Sequence, residues 1–170
     1  LTRFFLHKGA ILKIGLTPGT FDPITKGHID IIERASHVVD QLIVSVAKSE
    51  KKHTLFTLEQ RVELAREALF DFDNVEVEGF DGMLVYFAKE KGAKYLVKGL
   101  RAITDFEYEF QQTAVNSQLA PDIYTIFIMA PPQSMYLSST TVRELASLKS
   151  DISTFVPKNV EVALKKKFDE

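Results

Sequence analysis

The sequence predicts an α/β fold, a doubly wound parallel sheet of five strands with helices on both faces. Three observations carry that expectation. Short apolar runs rich in β-formers recur along the 170 residues, at 11–16, 42–46, 75–77, 95–97 and 123–129. Segments with helical periodicity separate them, and strands alternating with helices are what a parallel sheet needs for its crossovers. The polar, glycine-bearing and hydroxyl-rich stretches all follow the ends of these runs, which is where Rossmann-like sheets bind ligands.

Each element follows from its own pattern. After the first run, His28, Ile31, Ile32, Ala35, Val38 and Val39 share one helix face. Leu58, Val62, Ala65 and Leu69 repeat that spacing behind Thr57 and Gln60, a capping-box pair. Asp81 is placed to cap a third helix that buries Leu84, Phe87 and Ala88. Thr104 and Glu107 form another capping-box pair, ahead of a helix buried through Phe106 and Phe110. The final helix is expected to attach loosely, with Leu164-Lys165-Lys166-Lys167 as its solvated end. Residues 1–10 read as a leader or cloning remnant, and 11–170 as a single domain including that helix.

Composition narrows the function. Hydrophobic residues at 45% and charged residues at 26% argue against long disorder. The absence of cysteine excludes disulfide frameworks, cysteine zinc sites and thiol nucleophiles. A formal net charge of −2 with interspersed signs offers no basic face, so nucleic acid is not an expected partner. No apolar run approaches the ~20 residues of a membrane span, and Phe4-Phe5-Leu6 is too short for a signal-peptide core. No membrane contact and a cytoplasmic location are therefore expected. His7, His37 and His53 lack metal-ligand spacing and read as surface residues, so no metal site is expected.

The first run ends in Thr17-Pro18-Gly19-Thr20-Phe21-Asp22-Pro23-Ile24-Thr25-Lys26-Gly27-His28. A glycine-bearing turn lets backbone N–H groups approach an anion, and Gly27-His28 opens a helix whose amino end is partly positive. A capping turn with a core histidine explains Gly27-His28 alone, but it does not call for Thr20, Asp22 and His28 together. The loop after the second run carries Lys51 and Lys52; each can reach a phosphate as a point charge, although a solvated loop is the simpler reading. Gly82-Met83-Leu84, after the third, reads equally well as an apolar helix start. After the fourth, Lys98-Gly99-Leu100-Arg101 presents two cations, and Arg101 can fork two hydrogen bonds onto phosphate oxygens. Cations at a helix amino end oppose its dipole, a conflict that an anionic ligand resolves. Ser138-Ser139-Thr140-Thr141 sets four hydroxyls at a helix start, where a cap from Thr141 to Glu144 uses only one.

These strings resemble the nucleotidyltransferase superfamily with a Thr-x-Gly-His motif and, within it, the pantetheine-phosphate adenylyltransferases. The resemblance covers roughly residues 11–165, with four motifs in matching order. Related nicotinate or nicotinamide mononucleotide adenylyltransferases usually carry His at the position of Thr25. The resemblance implies transfer of the adenylyl group of ATP to 4'-phosphopantetheine, giving dephospho-coenzyme A and pyrophosphate. It implies ATP contacts at Gly19, Thr20, Phe21, His28, Gly99, Leu100, Arg101 and Glu109. Further ATP contacts fall at Ser134, Met135, Tyr136, Leu137, Ser138, Ser139 and Thr140. Acceptor contacts are implied at Thr20, Lys52, Leu84, Lys98 and Asn116. Counting back from Phe56-Thr57-Leu58-Glu59-Gln60-Arg61 selects Lys52, with Lys51 the next choice. The chain departs from the pattern at three places. Lys98 replaces an Arg and loses its planar fork. Leu137 replaces Ile, and Ser134-Met135 replaces an aromatic-Ser pair beside the adenine. A homohexamer and inhibition by coenzyme A are also implied.

In this reaction the nucleophile is a phosphate monoester oxygen, already ionised near neutral pH, so no general base is needed. His28, Thr20, Lys52 and Arg101 are the expected catalytic residues around the α-phosphate, with Ser138, Ser139 and Thr140 on the β- and γ-phosphates. Mg2+ is expected to arrive with ATP, because the sequence offers no carboxylate cage. Two alternatives stand beside this one. Adenylyl or cytidylyl transfer to another phosphorylated acceptor is opposed by Thr25 and the 99–109 block. A non-catalytic nucleotide sensor is opposed by the set of Thr20, His28, Lys52 and Arg101.

Overall fold

A computed structural model describes residues 11–48 and 53–169. Residues 1–10, Lys51 and Lys52 lie outside the described residues. The chain alternates β1 (Ile14–Gly19), α1 (Lys26–Ser36), β2 (Gln41–Ala47), α2 (Leu58–Ala68), β3 (Val75–Phe80), α3 (Leu84–Glu90), β4 (Tyr95–Leu100), α4 (Ile103–Leu119) and β5 (Tyr124–Met129). A 3-10 turn (Pro132–Ser134), α5 (Ser139–Ser147) and α6 (Lys158–Asp169) follow. Every strand pair is parallel, in the order β3-β2-β1-β4-β5. This is the predicted sheet, and its order reverses between β1 and β4.

That reversal shapes the molecule. β1 stays in register with β2 as far as Gly19↔Val46, but its pairing with β4 ends at Leu16↔Leu96. The carboxyl ends of the two central strands therefore part and leave a crevice. Side-chain alternation along the strands fills both sheet faces. Leu16, Ile43 and Leu96 pack with Val85 and Ala88 of α3 on one face. Leu42, Val44, Val46 and Val97 pack with α1, α2, α5 and α6 on the other.

The capping box from Thr57 to Gln60 is present at α2. Expectations at four helices are corrected. Met83, not Asp81, stands at the N-cap of α3, because Asp81 pairs with Lys48 at 2.6 Å; Val85 and Ala88 are buried there, while Leu84 and Phe87 are partly covered. Ala102 precedes α4, so Thr104 lies inside the first turn and makes no cap. No residue of α4 is buried, and Phe106 and Phe110 are 42% and 61% exposed. Periodicity reports that residues share a stripe, not that anything covers it. At α5 the cap is Ser138, whose Oγ accepts the Thr141 N–H at 3.1 Å. Finally, α6 is packed rather than loose: Val160 and Leu164 are fully buried, and Lys165 pairs with Glu161 at 2.6 Å. Among the described residues no helix is long and apolar enough to cross a membrane.

Candidate active site

The crevice opens into a cleft of about 560 Å³ at the carboxyl ends of β1 and β4, walled by α1, α4 and the start of α5. On the β1 side the turn is tightly determined. A Cβ on Gly19 would stand 2.8 Å from the Phe21 ring, so glycine is required there. Phe21 itself has φ 47°, a left-handed backbone that costs a non-glycine residue about 1–2 kcal/mol. Its ring is 3% exposed and sits edge-on to the His28 ring at 5.0 Å, so burial and packing hold the conformation. Beneath the turn, buried Arg61 donates to the carbonyls of Thr20 (2.5 Å), Ala47 (2.9 Å) and Phe56 (3.2 Å). One guanidinium thus ties the end of β1 to the end of β2.

His28 occupies the third position of α1, and Thr25 is its N-cap. The Thr25 N–H donates to His28 Nδ1 at 3.0 Å, while the His28 N–H donates to Thr25 Oγ1 at 3.4 Å. Burial, and after it the nearby charge of Arg101, lowers the His28 pKa from 6.5 to about 4. The imidazole is therefore neutral at pH 7.

Across the crevice, a Cβ on Gly99 would stand 2.8 Å from Ile31, so α1 packs against bare β4 backbone. Lys98 Nζ donates to the Glu109 carboxylate on α4, a pair with side chains only 12% and 24% exposed. Arg101 donates from Nε to Asp105 at 3.1 Å and from Nη1 to the Leu137 carbonyl at 3.1 Å. Burial raises the Asp105 pKa, but the hydrogen bonds and charge of Arg101 outweigh it and hold the carboxyl below its ordinary value. Asp105 sits in the first turn of α4, so part of the expected conflict between Arg101 and the helix dipole is met within the chain.

The third wall is the amino end of α5. Ser139 Oγ donates to the Pro23 carbonyl at 2.8 Å, and Arg143 Nη2 to Thr140 Oγ1 at 3.4 Å. Arg143 also donates to the Asp22 carbonyl and, at 3.3 Å, to its carboxylate. The same carboxylate accepts the N–H groups of Leu55 (2.8 Å) and Phe56 (3.0 Å). Asp22 thereby joins the β1 turn, the segment leading into α2, and α5. Among the described residues, the three carboxylate residues lining the cleft, Asp22, Asp105 and Glu109, are each engaged by a cation, respectively Arg143, Arg101 and Lys98. Among the described residues no group of His, Asp and Glu is arranged to hold a metal.

A cytidylyltransferase-like family model matches residues 16–145, a span that contains every residue lining the cleft. The chain is 49% identical over 156 residues to a phosphopantetheine adenylyltransferase of Alkaliphilus metalliredigens, covering 92% of this chain and 99% of that relative. The phosphopantetheine adenylyltransferase of Methylobacillus flagellatus is 55% identical over 139 residues, 82% of this chain and 87% of its own. That of Ralstonia pickettii is 50% identical over 154 residues, covering 91% and 92%. The chain belongs to the phosphopantetheine adenylyltransferase family. Its fold extends further. A crystal structure from Vibrio parahaemolyticus, assigned as a nicotinate-nucleotide adenylyltransferase, matches with a TM-score of 0.67 at 17% identity, covering 91% of this chain and 99% of that one. At that identity the likeness concerns the fold alone.

Gly19, Thr20, Phe21 and His28 line the cleft from the β1 side, and Lys98, Gly99, Arg101 and Glu109 from the β4 side. Ser134, Leu137, Ser138, Ser139 and Thr140 line it from the approach to α5. Ser134 does so with its hydroxyl already donated to Asp30 of α1. Leu100, Met135, Tyr136, Leu84 and Asn116 are not among the lining residues. Leu100 is buried, Met135 and Tyr136 are exposed, and Leu84 packs in the second core. Asn116 stands two turns along α4 from Glu109, on the same stripe. Lys52 lies outside the described residues. Sequence reasoning gave no site role to Thr17, Asp105, Tyr108 or Arg143, and it read His53 as a surface residue; His53 is exposed, yet it stands at the rim. Asp105, Tyr108 and Glu109 share a face at spacings of three and four, a signal that could have found the first two.

Proposed function

We propose that this cleft transfers the adenylyl group of ATP to 4'-phosphopantetheine, giving dephospho-coenzyme A and pyrophosphate, a step of coenzyme A biosynthesis. One observation carries the assignment of the site. Separate stretches bring Thr20 and His28, Lys98 and Arg101, Glu109, and Ser138 to Thr140 onto a single cleft at the parted strand ends. The close relatives are named for this reaction.

A phosphate monoester oxygen of the acceptor attacks the α-phosphorus, the bond to the α–β bridging oxygen breaks, and pyrophosphate leaves. Because the attacking oxygen is already ionised, the site supplies alignment and stabilisation of developing charge. Neutral His28 donates an N–H to an α-phosphate oxygen beside the Thr20 hydroxyl, and Arg101 and Lys52 clamp the surrounding oxygens. The amino end of α5, with Ser138, Ser139 and Thr140, receives the β- and γ-phosphates. Gly19, Phe21, Gly99, Glu109, Ser134 and Leu137 frame the nucleotide. Lys98, with Thr20 and Lys52, takes the acceptor. Mg2+ travels with ATP: the cleft's carboxylates are all engaged by cations, which fits a metal held by phosphate oxygens and water. Coenzyme A carries adenine and phosphopantetheine moieties together and competes for the same cleft. The exposed apolar side of α4 supports a homohexamer.

Mass spectrometry of a reaction containing ATP and 4'-phosphopantetheine is expected to show dephospho-coenzyme A with matching pyrophosphate. Turnover of nicotinate mononucleotide in its place rejects the acceptor assignment. Binding of ATP without turnover of any acceptor returns the sensor reading.

A further inference from the structure

A neutral imidazole carries its proton on one of two ring nitrogens, and which one decides what the ring can do. His28 Nδ1 stands 3.0 Å from the backbone nitrogen of Thr25 and 3.1 Å from its hydroxyl oxygen. A backbone N–H donates and never accepts. A proton on Nδ1 would confront it at that distance, so Nδ1 is the acceptor. The proton then sits on Nε2, in a ring that lines the cleft. The arrangement is held from several sides. Thr25 is extended (φ −124°, ψ 166°), and its Oγ1 accepts the His28 N–H, so one residue grips both the backbone and the ring of the histidine. Thr25 is 1% exposed, which keeps water from competing, and the Phe21 ring packs edge-on to the imidazole. Burial and Arg101 keep the ring uncharged, leaving the tautomer as the only variable.

We propose that Thr25 is a positioning residue that fixes His28 as the Nε2–H tautomer, making the histidine a donor toward the cleft and never a base. The tautomer stands on geometry alone; its effect on turnover rests on the adenylyl-transfer reading. In this role Thr25 acts through His28 and contacts no phosphate. It also gives the first residue of the Thr25-Lys26-Gly27-His28 string a task separate from substrate choice.

Nitrogen-15 NMR of the full chain at neutral pH tests the tautomer directly, with the signals assigned by their loss in His28→Gln. Nδ1 is expected to resonate as an unprotonated ring nitrogen and Nε2 as a protonated one. Thr25→Val keeps the volume and the backbone N–H but removes the hydroxyl. It is expected to lower kcat roughly tenfold, the equivalent of one hydrogen bond, with the KM for ATP changed less than about threefold. Thr25→Ser restores most of the loss. A protonated Nδ1 in the unsubstituted chain overturns the proposed tautomer, and wild-type kcat in Thr25→Val overturns the part of the Thr25 side chain in positioning the ring. The spectrum needs no turnover and no variant at position 25. A chain that fails to form dephospho-coenzyme A thus refutes the reaction while the tautomer remains readable.

Discussion

His28 and Lys98 illustrate two ways a side chain is tuned by what surrounds it. His28 is neutral because burial and Arg101 disfavour its cation, so it contributes a donor rather than a charge. Removing that donor in His28→Ala is expected to lower kcat by roughly 10²–10³, the range for one preorganised donor at a developing charge, with the fold intact by circular dichroism. The same shift predicts how stability depends on pH. The folded-state pKa of about 4 lies below the unfolded value of 6.5, so the unfolded chain binds the extra proton between them. This contribution is fully present above pH 6.5 and lost as pH falls toward 4, a span worth about 2–3 kcal/mol. Urea titrations of the native chain and His28→Gln should diverge in that window and run parallel above it; parallel curves throughout would sink the assignment. Lys98 instead makes an ion pair with Glu109 across the cleft wall. Lys98→Ala removes the cation proposed to meet the acceptor and takes away the partner of Glu109, and it is expected to raise the KM for phosphopantetheine by about 10–100-fold with a smaller change in kcat. Lys98→Arg restores a planar fork and is expected to hold or lower that KM. A raised KM in the Arg variant would show that the lysine makes a contact an arginine cannot.

Between elements, the site is held by ties among side chains and backbone groups. Asp22 ties the β1 turn to α5 through Arg143 and to the lead-in of α2 through two backbone N–H groups. Arg61 ties the ends of β1 and β2 through carbonyls. Asp22→Ala leaves two backbone N–H groups without their acceptor and Arg143 without its ion pair, although the backbone carbonyl at position 22 still accepts from Arg143. It is expected to destabilise the fold by about 2–4 kcal/mol in denaturant titration and to raise the KM for ATP. A shift below about 0.5 kcal/mol would mean that water or a neighbouring group replaces the carboxylate. The sequence made the strands, their alternation with helices and the gathering of motifs at strand ends legible, because each is a local pattern with a fixed period. The ties were not legible. Asp22 lies 121 residues from Arg143, and Arg61 acts on carbonyls, which carry no side-chain signature. The Lys98–Glu109 pair was hidden for a related reason: each residue suggests a ligand contact by itself, and only the fold shows that they face one another.

The molecule as a whole combines a covered sheet with one uncovered side. Ile103, Phe106, Phe110, Val115 and Leu119 of α4, with Tyr124 and Met129 of β5, are between 38% and 81% exposed. Exposed apolar side chains on one helix and its neighbouring edge strand are what a self-association surface needs, and their burial between copies would recover roughly 25 cal/mol per Å². The same helix carries Asp105 and Glu109 into the cleft, so the proposed packing of copies on α4 would also steady the wall that holds Arg101 and Lys98. Assembly and catalysis should therefore fall together. Light scattering is expected to give about six times the 19.2 kDa chain mass. Phe110→Asp places a charge on the apolar stripe, 61% exposed in the single chain, and it is expected to yield smaller species with lower kcat even at saturating substrates. An unchanged mass for that variant would show that α4 is not the contact. A reduced mass with full kcat would show that the cleft wall stands without neighbours.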